Sequence, residues 1–106
     1  MSKTVEIVEP LDCRSMTEVR AGVDAVDSAL IAFLTRRFGY MDAAARIKNS
    51  RNVVRDEARK AQVIANVETA ASQAGLPVEA ITGIWENLVE ASIIYELSAW
   101  DRLNQV

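Results

Sequence analysis

Histidine is absent from this 106-residue chain, and cysteine occurs once, at Cys13. The first absence removes histidine metal ligands and every histidine-based nucleophile triad. The second removes any internal disulfide, and a lone thiol fits a reducing cytoplasm. Only two prolines and four glycines punctuate the sequence, so long uninterrupted elements are possible. No apolar run approaches the length of a membrane span, and the polar, acidic start from Met1 to Pro10 has no apolar signal core. Excess positive charge is lacking too. A net charge of −3 argues against a broad nucleic-acid-binding surface, so any strong basic site must be local. Chemistry here falls to Arg, Lys, Asp, Glu and Ser, with no metal and no cofactor expected.

What is present is an ordinary globular balance, 50% hydrophobic and 25% charged, at a length that fits one domain. Residues 1–14 read as an extended arm interrupted by Pro10, and 15–106 as a helical domain. Ser15-Met16-Thr17-Glu18 has the form of a capping box, in which the Ser15 hydroxyl accepts from the Glu18 amide and the Glu18 carboxylate reaches back. An apolar stripe follows in steps of three and four: Val19, Val23, Val26, Leu30, Phe33, Tyr40, Ala44 and Ile47. It predicts one helix over about 16–49. Asn49-Ser50-Arg51-Asn52 is a polar break. A second helix is expected over about 55–74, with Ala61, Ile64, Val67, Ala71 and Ala74 inward and Gly75 just past its end. Pro77 suits the first turn of a third helix over about 77–104, through Ile81, Trp85, Leu88, Ser92, Tyr95, Glu96, Ala99 and Leu103. No strand alternation is visible. The expected fold is all-α, a three-helix chain in the order long, medium, long.

The first helix is long for its domain. About 34 residues span roughly 50 Å, whereas a compact domain of this size is about 35 Å across. Its apolar stripe then needs a cover, and a second copy of the chain related by a two-fold axis is the simplest one. The expectation is an intertwined helical homodimer; the alternative is a helix that bends or breaks near Gly39.

Four polar residues break the apolar stripes. Arg37 falls between Phe33 and Tyr40, and Lys48 lies at nearly the same azimuth, about three turns on. Ser92 and Glu96, four apart, share one side of the third helix. Taken singly, Arg37 and Lys48 can snorkel to solvent, and Glu96 can form a structural ion pair with a core arginine. Taken together, they point to a polar cavity between helices, rich in cations, of the kind bundles build from facing side chains. Such a cavity, lacking a catalytic base, suits a small polyanion, most simply a dicarboxylate.

The sequence resembles the all-helical chorismate mutases and the related isochorismate-pyruvate lyases, over about residues 12–104. Val19-Arg20 followed by Val23-Asp24 and Val26-Asp27 carries the resemblance first. Arg36-Arg37 and Ala45-Arg46-Ile47-Lys48 continue it, then Val54-Arg55-Asp56-Glu57-Ala58-Arg59, then Leu76-Pro77 leading to Ser92 and Glu96. Each motif is weak alone; their order and spacing make the match specific.

The resemblance implies that Arg20, Arg37 and Arg59 hold the two substrate carboxylates and that Lys48 donates to the ether oxygen. It places Asp56 near the substrate hydroxyl and Ser92 beside the ring carboxylate. Glu96 falls where many relatives have glutamine and some have glutamate. Arg20 and Arg37 are seventeen residues apart, about 25 Å along one helix, so one small ligand could hardly meet both from the same chain. Arg20 of a partner copy would complete the site. The sequence departs from the pattern at Lys60, where some mutases carry a glutamate that contacts the hydroxyl, and in a connection after Lys48 that is one residue shorter than in some relatives.

The implied reaction, chorismate to prephenate, is a unimolecular pericyclic step that needs neither nucleophile nor acid–base relay. Arginine clamps select the compact conformer, and a cation faces the oxygen that gains charge. A Glu96 carboxyl beside that oxygen helps only when protonated, so activity should fall as pH rises. Two rivals remain at this point. A lyase would expel pyruvate from isochorismate, and Pro10-Leu11-Asp12-Cys13 resembles that branch. A non-catalytic helical dimer would use Arg37 and Lys48 only to set register.

Overall fold

A computed structural model describes residues 6–105, which form an all-helical chain with no strand. Three α-helices follow one another: α1 Met16–Ile47, α2 Glu57–Gln73 and α3 Val78–Leu103. The class and the long, medium, long order are those expected, and α1 passes Gly39 without interruption. Two short 3₁₀ turns, Pro10–Asp12 and Arg51–Val53, lie where an extended arm and a polar break were expected. The first forms because the Asp12 and Cys13 amides donate to the Glu9 and Pro10 carbonyls at 2.9 and 3.3 Å. Met1–Val5 of the expected arm lie outside the described residues. Among the described residues no helix is long and apolar enough to cross a membrane.

Each helix end is set by chemistry local to it. The Ser15 hydroxyl accepts from the Glu18 amide at 3.2 Å, as a capping box requires. The Glu18 carboxylate reaches one residue further back than expected, accepting from the Arg14 amide at 2.8 Å. Asp56 caps α2 by accepting from the Arg59 amide at 3.0 Å. At the other end of α2, Gly75 takes φ 71°. Its amide donates to Ser72 and that of Leu76 to Ala71, at 3.1 and 2.9 Å, which is a Schellman closure. A side chain at residue 75 would strain this left-handed backbone. Pro77 is the cap of α3 and not its first helical residue, a shift of one position.

The chain divides into two compact units, Met1–Arg37 and Phe38–Val106. The first holds the Pro10–Asp12 turn and the N-terminal part of α1. Its stripe is open: Val23, Leu30 and Phe33 are 51%, 52% and 68% exposed. Ile7, Pro10, Val19, Val23 and Val26 line a shallow apolar groove there.

The second unit holds the end of α1, the Arg51–Val53 turn, α2 and α3. Its core is Val54, Val89 and Ile93, with Val63, Leu97 and Trp100 packed against it. Burying such an aliphatic side chain stabilises by about 1.5–3 kcal/mol. This core departs from the expected inner faces. Ala71 is buried on α2 but Ala61 is exposed, and on α3 the row Val89, Ile93, Leu97, Trp100 packs on the core. α3 carries two adjacent apolar rows. The expected row serves a different neighbour, because Tyr95 stacks edge-on against Phe38 of α1 at 5.0 Å. Near the end of α1 it is Ala45, and not Ala44, that is buried.

Candidate active site

α1 ends at Ile47, so Lys48 occupies its C-terminal cap, its amide still donating to the Ala44 carbonyl at 2.9 Å. From there the Lys48 ammonium turns inward. Nζ donates to Glu96 Oε2 at 2.7 Å and, more loosely, to the Val54 carbonyl at 3.4 Å. The side chains are 28% and 6% exposed. Neither is solvated as a surface residue would be, and the partner of Glu96 is a lysine, where an arginine was the expected structural partner. Four residues before Glu96 and one turn along α3, Ser92 is also buried and donates to the Leu88 carbonyl at 2.7 Å. Two polar groups on α3 and one cation from the end of α1 thus share the interior of the second unit. For Lys48, Ser92 and Glu96 this is the inward placement that the interrupted stripes predicted; Arg37, the fourth, is half-buried in the first unit.

Asp56 and Arg59 lie at the start of α2, both exposed. Asp56 Oδ1 caps the helix, and the Arg59 guanidinium donates to Gln62 Oε1 at 2.6 Å. Arg20 is exposed and Arg37 half-buried, both on the part of α1 that belongs to the first unit.

Three features of this region escaped the sequence reading. Trp100 Nε1 donates to the Lys48 carbonyl at 3.1 Å. The Tyr95 hydroxyl donates to Asp42 Oδ2 at 3.1 Å, and this bond raises the Tyr95 pKa above its usual value. On the outer face, Arg55 and Lys60 both bind Glu90, at 2.8 and 3.0 Å, and Lys60 also binds Glu86 at 3.1 Å. The Arg55 hydrogen bond, then that of Lys60, pulls the Glu90 carboxyl down to about 2. Those same bonds to Glu90 push Arg55 and Lys60 up. A signal for this network was available in the i, i+4 spacing of Glu86 and Glu90. Lys60, which departs from the mutase pattern, is therefore a strut between α2 and α3.

Chemically, the pair offers one half-buried ammonium and one buried carboxyl, close together. It can present a strong hydrogen-bond donor to an oxygen that gains negative charge, and charge-assisted bonds of this kind are about twice as strong as neutral ones.

Comparison with known proteins places the chain in a family. The isochorismate pyruvate lyase of Pseudomonas aeruginosa is 25% identical over 91 residues, which cover 86% of this chain and 90% of the relative. The profile of the chorismate mutase type II family matches residues 19–97, a span that holds Arg20, Arg37, Lys48, Asp56, Arg59, Ser92 and Glu96. The chain belongs to the chorismate mutase type II family.

Proposed function

We propose that this protein is an isomerase that rearranges chorismate to prephenate, within the helical domain that starts at residue 15. The observation that carries the reading is the interior Lys48–Glu96 pair at 2.7 Å. In the reaction the ether C–O bond breaks while a C–C bond forms between the enolpyruvyl side chain and the ring. No proton or electron leaves the substrate. The catalytic task is to hold the chair-like conformer and to meet the charge that grows on the ether oxygen.

Lys48 meets that charge in this reading. Its ammonium, held by Glu96, swings to the ether oxygen. Arg37 and Arg59 grip the carboxylates in bidentate fashion. Ser92 lies beside the ring carboxylate. Asp56 caps α2 with one oxygen and turns the other to the ring hydroxyl. The reaction calls for no cofactor.

The site is completed by a second copy of the chain, whose Arg20 closes over the carboxylate. The exposed Val23, Leu30 and Phe33 on α1 support this arrangement, since a second helix would remove them from water. Mixing two inactive variants tests it. An Arg20→Ala and a Lys48→Ala chain exchanged into mixed dimers should regain about a quarter of wild-type activity, because half the dimers then hold one intact site. No regain would place Arg20 outside the partner's site.

A second reading is favoured by the relative named isochorismate pyruvate lyase. There the same cation would assist loss of pyruvate from isochorismate. Purified protein given each substrate separately decides between them. Prephenate from chorismate supports the mutase; salicylate and pyruvate from isochorismate, with chorismate untouched, would replace it with the lyase.

A further inference from the structure

The residues assigned above all touch substrate. The backbone from which Lys48 projects needs its own support. Lys48 is the cap of α1, and the last carbonyls of a helix have no partner within it. The connection that follows is short, a single 3₁₀ turn before Val54. If the Lys48 peptide turned toward solvent, the ammonium would move with it.

One side chain holds this connection at both ends. The Trp100 indole N–H donates to the Lys48 carbonyl at 3.1 Å. The same ring packs against the cluster of Val54, Val89 and Ile93, where Val54 is only 3% exposed. Lys48 Nζ in turn donates to the Val54 carbonyl at 3.4 Å. Lys48 is thus held through its carbonyl by Trp100 and through its ammonium by the Val54 carbonyl, and Trp100 and Val54 belong to the same core. The next residue on α3 adds a brace, since Arg51 Nε and a terminal nitrogen donate to the two Asp101 oxygens at 2.8 and 3.3 Å. Glu96 stands four residues before Trp100, one turn away on the same side of α3. The two partners of Lys48, one for its ammonium and one for its backbone, therefore come from a single rigid helix.

We propose that Trp100 is a positioning residue: its indole N–H fixes the Lys48 carbonyl and so registers the Lys48 ammonium against Glu96 and the reacting oxygen. This rests on Lys48 acting on substrate as read above. A half-buried indole N–H favours an acceptor, and here the acceptor is the peptide of the catalytic lysine. Misplacing a catalytic group by about 1 Å costs up to about a hundredfold in rate.

The test compares Trp100→Phe, Lys48→Ala and the double variant, with kcat and KM for chorismate. Trp100→Phe keeps an aromatic ring in the core and removes the donor. A second variant carries 3-benzothienylalanine at position 100, which keeps the indole shape and replaces only the N–H by sulfur. Both should lower kcat by about ten- to a hundredfold with KM changed less than about threefold. In the Lys48→Ala background the Trp100 change should cost nothing further, because the group it positions is gone. Where residual rates fall below detection, the same cycle is read from affinity for a rigid bicyclic dicarboxylate ether that mimics the chair-like transition state.

Wild-type kcat in the benzothienyl variant would overturn the proposal while leaving the role of Lys48 intact. Equal losses from Trp100→Phe with and without Lys48 would also overturn it, showing that Trp100 acts through packing alone. A Lys48→Ala chain as active as wild type, or a wild type that turns over no chorismate, would sink the underlying reading and this proposal together.

Discussion

Glu90 and Glu96 stand six residues apart on α3, about 120° around the helix, and each meets a lysine. Lys60 binds Glu90 at 3.0 Å and Lys48 binds Glu96 at 2.7 Å. The chemistry is the same, yet the Glu90 side chain is 39% exposed and the Glu96 side chain 6%. Outside, Glu90 also holds Arg55, and Lys60 also holds Glu86, so loss of one partner leaves another. Inside, Glu96 rests on Lys48. Solvent-exposed pairs contribute about 0–1 kcal/mol each. A buried pair is weak evidence for stability, because desolvation offsets attraction, but breaking it strands a charge. The outer network is what a strut between two helices requires. The inner pair makes little sense as a strut, and the proposed reaction would give it a use as a reagent.

Removing each side of this contrast should give unequal results. Lys48→Ala is expected to lower kcat/KM for chorismate by about 100- to 1000-fold, the usual effect of losing one preorganised donor. Glu90→Gln should leave kcat/KM within about threefold of wild type, since a screened surface pair is all that weakens. Steady-state prephenate formation by the purified chains measures both. A Glu90 variant as damaged as the Lys48 variant would erase the distinction between reagent and strut.

How much of this could be read beforehand differs from place to place. The caps were legible because Ser15, Glu18 and Gly75 act within a few residues of themselves. Lys48 and Glu96 were legible as polar residues in apolar rows, where the cost of burial leaves few alternatives. That they would find each other was not, since 48 residues separate them and an arginine was an equally good partner on paper. Core rows were missed where α3 carries two of them. Periodicity shows that Val89 and Ile93 share a face with Leu97, but cannot say that this face meets Val54. Val54 itself follows a single turn, too short to show any period. Trp100 fell in the same gap, as its role depends on a carbonyl 52 residues away.

The smallest expected effect concerns stability alone. Glu90 titrates at about 2 in the folded chain against an ordinary value of 4.5, because Arg55 and then Lys60 bind its carboxylate. The folded chain thus takes up this proton less readily than the unfolded one. Above about pH 4.5 the contribution is complete; it shrinks as pH falls toward 2 and is gone below that. Glu90→Gln removes the titrating group, so the variant should be slightly less stable at neutral pH and should lose less on acidification through this window. Salt should narrow the neutral-pH difference, since the pair is exposed. Urea midpoints for both chains across the window, with activity followed at neutral pH, read this directly. Parallel acid limbs would mean that Glu90 gains nothing from Arg55 and Lys60 in solution, and the outer face would then lose its claim to be a strut.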